Sequence, residues 1–474
     1  MDDVTFRRLG HALVDWIADY RQGIEQLPVR SPVVPGEIRA RFAKEPPRAG
    51  KGLEGIVELL ERDVLPGITH WNHPSFFAYF PSNTSWASIL ADLVASGLGA
   101  QGMNWETSPA ATEVEEVVVD WLRQMVGLPD SFEGVIHDTA STATLCALIC
   151  ARERTTGFAQ RGAGLQDGSA PLVVYASDQS HSSVEKAARL AGFGLEHLRA
   201  IESDGEYALR LDLLEQAIES DLRAGRRPCA LVATTGTTAT TALDPVAGMA
   251  DLAARHGLWL HVDSAMAGTA MVLPEHRWMW AGIERADSLV FNPHKWMGVG
   301  FDCSIYFVRD AQHLVRVMGT DPSFLRTSRD GQVKNLRDWG IPLGRRFRAL
   351  KVLMYLLDEG VDGIASRIRR DLANAQWLAG QVDAAPDWQR LAPTVLQTVA
   401  LRHRPAGISD EEALARHNLA LADRINGSGR AYLTPARVKG VQVLRVSVGA
   451  ERTEQRHVQA LWQQLQEAAA AVSK

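Results

Sequence analysis

Two residues carry reactive side chains at the ends of runs that are typical of buried strands. The apolar run 258–262 is followed directly by the carboxylate of Asp263. The run 288–291 stops at an Asn-Pro pair, and Lys295 comes soon after it. A lysine taken alone is usually a surface charge, but a buried carboxylate needs a partner. We therefore expect an amine and a carboxylate at the ends of two neighbouring strands.

One cofactor chemistry uses this pair of groups. Pyridoxal phosphate (PLP) is carried by a lysine as a Schiff base, and a carboxylate keeps its pyridinium nitrogen protonated, so that the ring accepts electrons released at the substrate Cα. A small side chain at Ala265 would let the ring lie flat over the strand end. The pattern Asp-x-Ala, followed later by Asn-Pro-His-Lys-Trp, predicts Lys295 and Asp263 as catalytic residues of a PLP enzyme.

At these residues the sequence resembles the group II PLP-dependent decarboxylases, and most closely the aromatic-L-amino-acid (dopa/tryptophan) decarboxylases of bacterial type. The likeness runs from the first helix to about Arg348, and more loosely beyond it. It implies a homodimer with PLP as cofactor. It also implies removal of CO₂ from an aromatic L-amino acid (dopa, 5-hydroxytryptophan, tryptophan or tyrosine) to give the arylalkylamine.

A hydroxyl-rich stretch, 139–144, begins a helix after an apolar run. Small hydroxyl residues at such a place are N-caps first of all. Free N–H groups and the positive end of the helix dipole also make the place a phosphate site. The resemblance assigns the cofactor phosphate to Thr139, Ala140 and Ser141, and adds Asn292 and His294 to the cofactor site. The acidic residue that precedes this stretch, Asp138, is left out of the site.

Two further residues enter the site by resemblance. His181 is expected to stack on the cofactor ring opposite Ala265 and to help catalysis, although it would also serve as a simple helix-start residue. Thr238 is expected near the phenolic oxygen of the cofactor or near the stacking histidine. Read without the resemblance, it is one more polar residue in a threonine-rich loop.

Aromatic residues concentrate around two prolines in the segment 71–83, and the prolines exclude a continuous helix. Core packing of a loop is one interpretation. The resemblance favours a pocket for the substrate ring, and glycine at position 344 is typical of related plant enzymes that accept larger indole substrates. The predicted substrate-binding residues are Trp71, Tyr79, Phe80, Pro81, Ser82 and Gly344.

The segment 320–339 is polar and is either a surface loop or a lid over the site. The resembled family has a mobile loop here, with a tyrosine that is thought to protonate the carbanion left by decarboxylation. Alignment backwards from residues 341–348 places Leu336 at that tyrosine. Because leucine cannot donate a proton, either His181 or Lys295 replaces it, or the intermediate meets oxygen and yields an aldehyde. An aromatic aldehyde synthase is therefore the alternative function.

Short, continuously apolar runs must position these residues. Continuous rather than alternating runs indicate strands that are buried on both faces, and so a mostly parallel sheet with helices on both sides. The runs are 172–176, 230–235, 258–262, 288–291 and 305–308. With the resemblance, they predict an α/β fold of the fold-type-I PLP class (aspartate-aminotransferase-like) with a seven-stranded sheet. The expected domains are an N-terminal helical dimer-wrapping segment (1–85), a large PLP-binding domain (86–348) and a small α+β C-terminal domain (349–474).

Composition excludes several other classes. A net charge of −6 argues against a nucleic-acid-binding protein, and no apolar run is long enough to span a bilayer. The four cysteines lack metal-binding spacing, so no metal is expected. No targeting segment is seen at the start, which predicts a cytoplasmic protein. The apolar stripe of the first helix favours a homodimer, and a cofactor-binding protein without catalysis is disfavoured because Lys295, Asp263 and His181 are all present.

Overall fold

The computed structural model describes residues 1–166, 168–320 and 323–472. The chain divides into two compact units. The first unit comprises residues 1–81, 376–391 and 400–474, and the second comprises 82–375 and 392–399. Both ends of the chain therefore belong to one unit. The three domains expected from the sequence stay a prediction.

The second unit contains most of the helices and the larger sheet. The α-helices of the whole described chain, in order, are α1 (Asp3–Gln22), α2 (Glu37–Ala40), α3 (Ile56–Leu59), α4 (Trp86–Leu98), α5 (Pro109–Met125), α6 (Ala140–Thr156), α7 (Gln160–Ala163), α8 (Ser182–Leu190), α9 (Leu211–Arg223), α10 (Val246–His256), α11 (Ala311–Met318), α12 (Ala349–Ala384), α13 (Glu411–Gly427) and α14 (Gln455–Val472). The strands are β1 (Glu133–His137), β2 (Leu172–Ser177), β3 (Leu198–Ile201), β4 (Arg227–Thr234), β5 (Trp259–Asp263), β6 (Ser288–Phe291), β7 (Ser304–Val308), β8 (Trp388–Arg390), β9 (Thr398–His403), β10 (Thr434–Val438) and β11 (Val441–Ser447).

The large sheet has seven strands in the order β1-β7-β6-β5-β4-β2-β3. The pairs β2/β3, β2/β4, β4/β5 and β5/β6 are parallel. The strand β7 runs antiparallel to both of its neighbours, β1 and β6. The predicted mostly parallel seven-stranded sheet is confirmed.

Burial along the strands explains why the sequence predicts this sheet. Every residue of β2, β5 and β7 is buried, as expected for strands covered by helices on both faces. The edge strand β3 has one buried residue in four. It lacks the apolar run that marks the inner strands, so the sequence does not predict it.

The C-terminal part of the chain forms a four-stranded sheet in the order β10-β11-β9-β8. The pairs β8/β9 and β10/β11 are antiparallel. With α13 and α14 these strands make the small α+β region that the sequence predicts. None of the helices in the described ranges is long and apolar enough to cross a membrane.

Candidate active site

The ends of β4, β5 and β6 meet at one edge of the large sheet. Asp263, the last residue of β5, pairs with Thr234 of β4 on one side and with Val290 of β6 on the other. The backbone N–H of Asn292 donates to the carbonyl of Ala265 at 2.9 Å, which joins the segments that follow β5 and β6. Because these strands are parallel, the residues that follow them lie at the same edge, where ligands bind in such sheets.

Asp263 is buried, with 4% of its surface exposed. One carboxylate oxygen accepts the N–H of Ala265 at 3.0 Å. Beside Asp263, the buried hydroxyls of Thr234 and Thr235 have no hydrogen-bond partner within the described part of the chain. Buried polar atoms are normally satisfied, so this strand edge fits a bound polar group.

Lys295 lies in the short helical turn Pro293–Met297 and is half-buried. Its backbone departs from helical geometry, with φ −98° and ψ −106°. The Lys295 N–H donates to the carbonyl of Asn292 at 3.0 Å, and its own carbonyl accepts the side-chain amide of Asn83 at 3.3 Å. The amine therefore starts from a backbone that is fixed on both sides.

His181 is electrostatically linked to both residues. Desolvation lowers its pKa below the usual range; the negative charge of Asp263 opposes this shift, and the positive charge of Lys295 adds to it. His181 is the N-cap of α8, where its Nδ1 accepts the N–H of Ser183 at 3.1 Å and lies 2.8 Å from the Ser183 hydroxyl. The predicted group of Lys295, Asp263 and His181 is thus gathered at one edge of the sheet.

The first turn of α6 offers a phosphate site. Thr139 has extended backbone angles and does not cap the helix with its side chain, and the first N–H groups of a helix have no partner within it. Asp138 is engaged locally, since its carboxylate accepts the N–H of Thr139 at 2.7 Å. Further along α6, the hydroxyl of Thr144 lies 3.4 Å from Nε2 of His261. His261 is two residues before Asp263 and so on the same face of β5.

Asn292 and His294 both hold the connection from β6 to β7. The amide oxygen of Asn292 accepts the hydroxyl of Ser304 at 2.6 Å. Nδ1 of His294 accepts the N–H of Cys303 at 2.9 Å. Burial lowers the pKa of His294 to about 3, with a further contribution from the charge of Lys295, so the imidazole is neutral. Cofactor contacts for both residues stay predictions.

Thr238 is exposed in the turn after β4, whereas its neighbour Thr237 is buried. The Thr237 hydroxyl accepts the N–H of Ala242 at 3.0 Å and lies 3.0 Å from the hydroxyl of Thr240. Thr237 therefore stabilises the turn, and Thr238 presents its side chain to solvent. A cofactor contact of Thr238 stays a prediction.

Four of the predicted substrate-binding residues lie in the first unit: Trp71, Tyr79, Phe80 and Pro81. Ser82 and Gly344 belong to the second unit. The rings of Trp71 and Tyr79 stack with their centroids 5.5 Å apart. The expected aromatic cluster therefore exists within the first unit, and its role in substrate binding stays a prediction.

Arg445, on β11, is a buried charged residue of the first unit that is not among the residues predicted from the sequence. It is 2% exposed, and its guanidinium lies 4.4 Å from the ring centroid of Phe80. One nitrogen donates to the carbonyl of Tyr79. Two others, Nε and Nη2, have no hydrogen-bond partner in the described ranges. Desolvation lowers its pKa to about 9. The sequence signal was a single arginine within the apolar strand 441–447.

Gly344 and Leu336 line a cavity of about 150 Å³ beside the start of α6, together with His137, Asp138 and Arg348. A side chain at Gly344 would meet the amide nitrogen of Gln101 at 3.1 Å. Leu336 lies in the short helix Leu336–Trp339, is 2% exposed and belongs to the hydrophobic core. Its packing is that of a core residue rather than of a lid residue.

The absence of a loop tyrosine does not depend on that alignment. No tyrosine occurs at any position between Tyr306 and Tyr355. The whole segment that corresponds to the family loop therefore lacks a phenol.

No group of three or more His, Cys, Asp or Glu residues in the described chain is arranged to hold a metal ion.

Known proteins resemble this chain over nearly its whole length. Residues 35–404 match the family described as the pyridoxal-dependent decarboxylase conserved domain. A tryptophan decarboxylase of Camptotheca acuminata is 40% identical, over 100% of this chain and 95% of its own. Phenylacetaldehyde synthase of Arabidopsis thaliana is also 40% identical, over 99% of this chain and 96% of its own. The crystal structure of Oryza sativa TDC with PLP and tryptamine superposes with a TM-score of 0.96 at 37% identity, covering 100% of this chain and 99% of the other.

The sheet and the residues at its edge define a fold-type-I PLP enzyme. The chain belongs to the pyridoxal-dependent decarboxylase family, and PLP is its cofactor. The buried carboxylate of Asp263, the amine of Lys295 and the uncapped start of α6 fit the ring nitrogen, the aldehyde carbon and the phosphate of that cofactor. The relatives named above are plant proteins, so the expected bacterial type is not supported.

Proposed function

We infer that the protein is a PLP-dependent carboxy-lyase that converts an aromatic L-amino acid to its arylalkylamine and CO₂. The observation that carries this inference is the placement of Asp263 and Lys295 after two adjacent parallel strands, with His181 linked electrostatically to both. The tryptophan and tyrosine decarboxylases among the relatives support an aromatic substrate. Dopa, 5-hydroxytryptophan, tryptophan and tyrosine are the candidates.

Each residue has a distinct part in this proposal. When bound, PLP supplies an electron-poor ring that accepts the electron pair of the broken Cα–carboxylate bond. Lys295 would hold the cofactor through its side-chain amine. The carboxylate of Asp263 would hold a proton on the ring nitrogen. Because Asp263 is buried, the attraction between the two charges is stronger than in water. His181 is neutral near pH 7 because its pKa is lowered, so it presents an uncharged ring to the site.

The first turn of α6 would bind the phosphate through backbone N–H groups and the hydroxyls of Thr139 and Ser141. The carboxylate of Asp138 accepts the Thr139 N–H, so that N–H is not one of the groups proposed to bind the phosphate. Asn292 and His294 are proposed to border the cofactor while they hold the β6–β7 connection.

The alternative is an aromatic aldehyde synthase, in which decarboxylation is coupled to oxidative deamination by O₂. Two observations support this alternative function. No tyrosine occurs between Tyr306 and Tyr355, and one relative at 40% identity is a phenylacetaldehyde synthase. Such a reaction consumes O₂ and one water molecule and releases the aldehyde, ammonia and hydrogen peroxide together with CO₂.

A homodimer is proposed as the assembly. Apolar residues of α4 recur at helical spacing on one face and are exposed in the single chain. The exposed residues are Trp86, Leu90, Leu93, Val94 and Leu98. A stripe of this kind is normally covered, and a second copy of the chain is the partner that the family resemblance favours. A cytoplasmic location stays a prediction.

Product stoichiometry tests the function. Purified protein with PLP and L-dopa in air should give equal amounts of CO₂ and amine, and Lys295→Ala should abolish turnover together with the visible absorbance of the bound cofactor. Lys186→Ala, an exposed lysine on α8, is the matched control and should behave like the wild type. Aldehyde and peroxide equal to CO₂ would establish the alternative. Retained turnover in Lys295→Ala would disprove the central role of that lysine.

A further inference from the structure

The turn that carries Lys295 is held by side chains from one distant helix. Two of its backbone carbonyls accept hydrogen bonds from α12. Arg367 Nη2 donates to the carbonyl of Trp296 at 2.8 Å and also to that of Met297. The hydroxyl of Tyr355 donates to the same Met297 carbonyl. Because the Lys295 backbone is not helical, a regular helical ladder does not fix these carbonyls, and the side chains of α12 do so instead.

The side chain next to Lys295 is fixed by the same helix. The indole N–H of Trp296 donates to a carboxylate oxygen of Asp371 at 2.9 Å, and both residues are completely buried. Asp371 also lies 3.7 Å from Arg367 and 3.3 Å from Arg370. Burial raises the pKa of Asp371 to about 6, and the two arginines oppose that shift. Arg367 therefore contacts the turn directly and also favours the charged form of the carboxylate that holds Trp296.

A break in α12 allows this arrangement. Tyr355 and Arg367 are twelve residues apart, which in a straight helix would separate them by about 18 Å along the axis. In the structure the Arg367 guanidinium lies 3.4 Å from the Tyr355 hydroxyl. Gly360, between them, has φ 63° and ψ 170° and interrupts the helix. This left-handed φ favours glycine, and the break brings both side chains to one carbonyl.

The end of the turn is equally restricted. Gly298 follows it with φ 114°, and a Cβ added there would lie 2.7 Å from the Tyr355 hydroxyl. A side chain at position 298 would therefore displace the hydroxyl that holds Met297. The turn and α12 are therefore in close contact, although they are far apart in sequence.

We propose that Tyr355, Arg367 and Asp371 are positioning residues that hold the Lys295 turn in the conformation needed for the lysine to carry the cofactor. This inference rests on the proposed role of Lys295. The amine of Lys295 must reach one particular carbon atom of the cofactor. A small misplacement of reacting groups lowers the reaction rate by a large factor. The three residues act through the backbone and through Trp296, and they do not themselves react.

The test compares Arg367→Gln with Arg369→Gln in the PLP-loaded enzyme. Arg369 lies on the same helix but is exposed and pairs with Glu275, so it is a matched control. Three quantities are measured: the pH titration of the visible absorbance of bound PLP, the dissociation constant of PLP, and kcat separately from KM. We expect Arg367→Gln to shift the absorbance titration, weaken PLP binding about tenfold or more, and lower kcat with little change in KM. Arg367→Lys should restore part of each property, because lysine donates to carbonyls. The control should match the wild type.

Tyr355→Phe is the second variant, for the case in which Arg367→Gln does not fold. It removes only one hydroxyl group and should show the same changes to a smaller degree. A purely structural role would lower the melting temperature and leave the absorbance titration and kcat unchanged. That outcome in the folded variants would overturn the proposal. Lys295→Ala, measured alongside, separates failure of the proposed function from failure of this inference. If Lys295→Ala keeps the absorbance of bound PLP, the proposed function is wrong. If Lys295→Ala loses that absorbance while the Arg367 and Tyr355 variants behave like the wild type, only this inference is wrong.

Discussion

At the scale of single residues, Asp263 is the group whose role follows most directly from its surroundings. It is buried at a strand end, where one oxygen accepts the Ala265 N–H, and its negative charge acts on His181. A buried carboxylate without a strong partner is costly. Its retention is explained when a protonated ring nitrogen completes the site.

Replacing Asp263 by asparagine should separate cofactor binding from catalysis. The amide keeps the shape of the side chain but cannot hold a proton on the ring nitrogen, so we expect kcat/KM to fall by about 10³-fold, or ~4 kcal/mol, with PLP still bound. Steady-state kinetics and retention of PLP on dialysis measure the two properties. Asp251→Asn, at an exposed position on α10, is the control. A near-normal rate in Asp263→Asn would remove this residue from the catalytic site.

Prediction of position from the sequence holds for Asp263 and Lys295, which lie at and after the ends of two buried strands, while their catalytic roles stay predictions. It fails where a contact depends on distant chain segments. Arg445 contacts Phe80, and Tyr355 and Arg367 reach the Lys295 turn, and the sequence around these residues does not predict which distant groups they contact. Leu336 belongs to the segment 320–339, whose polar composition predicts either a surface loop or a lid, whereas its side chain packs in the core with Trp339.

At the scale of elements, the turn that follows β4 depends on one buried carboxylate. Asp244 accepts the N–H of Thr234 at 2.8 Å with one oxygen and the N–H of Leu209 at 2.9 Å with the other. Its own N–H donates to the carbonyl of Thr234 at 3.0 Å. Asp244 thus closes the loop 235–243 against the last residue of the strand that pairs with Asp263.

Replacing Asp244 by alanine should destabilise the protein and disturb this edge of the sheet. Two buried N–H groups would lose their acceptors, which costs about 2–4 kcal/mol in total. We expect a lower midpoint of urea unfolding and weaker PLP binding. Asp212→Ala, at the exposed start of α9, should change neither property. An unchanged midpoint in Asp244→Ala would show that the loop does not rely on this carboxylate.

Elements that are buried on both faces were predictable, because continuous apolar runs identify them. The strand β3 and the break in α12 were not. The former is an edge strand with one buried residue, and the latter requires the φ of Gly360, which the sequence alone does not reveal.

At the scale of the whole molecule, buried neutral histidines should make stability depend on pH. Burial lowers the pKa of His137 and of His261 to about 4, well below the value near 6.5 of an unfolded chain. The native state keeps both rings neutral, while the unfolded state binds protons below about pH 6.5. The free energy of unfolding therefore has its full value above about pH 6.5 and decreases as the pH falls towards about 4.

Urea unfolding at pH 7 and pH 5 tests this dependence. Each such histidine should contribute about 2 kcal/mol to the loss of unfolding free energy between these two values. His261→Gln should lower stability at both pH values but reduce the difference between them. His11→Gln, at an exposed position on α1, should leave the difference as in the wild type. An unchanged difference in His261→Gln would show that this ring is not held neutral.

The apolar face of α4 predicts how two chains assemble. Leu93 is at the middle of that face and is 54% exposed in the single chain. An aspartate there would have to be buried without a partner in the proposed interface, at a cost of several kcal/mol. We expect wild-type protein to sediment with twice the mass of one chain, and Leu93→Asp to shift towards a single chain at micromolar concentration. Leu222→Asp carries the same change on an exposed position of α9, 49% exposed, and should remain a dimer. If Leu93→Asp also stays dimeric and active, the interface does not include α4, and the exposed stripe must be covered by something other than a second copy of the chain.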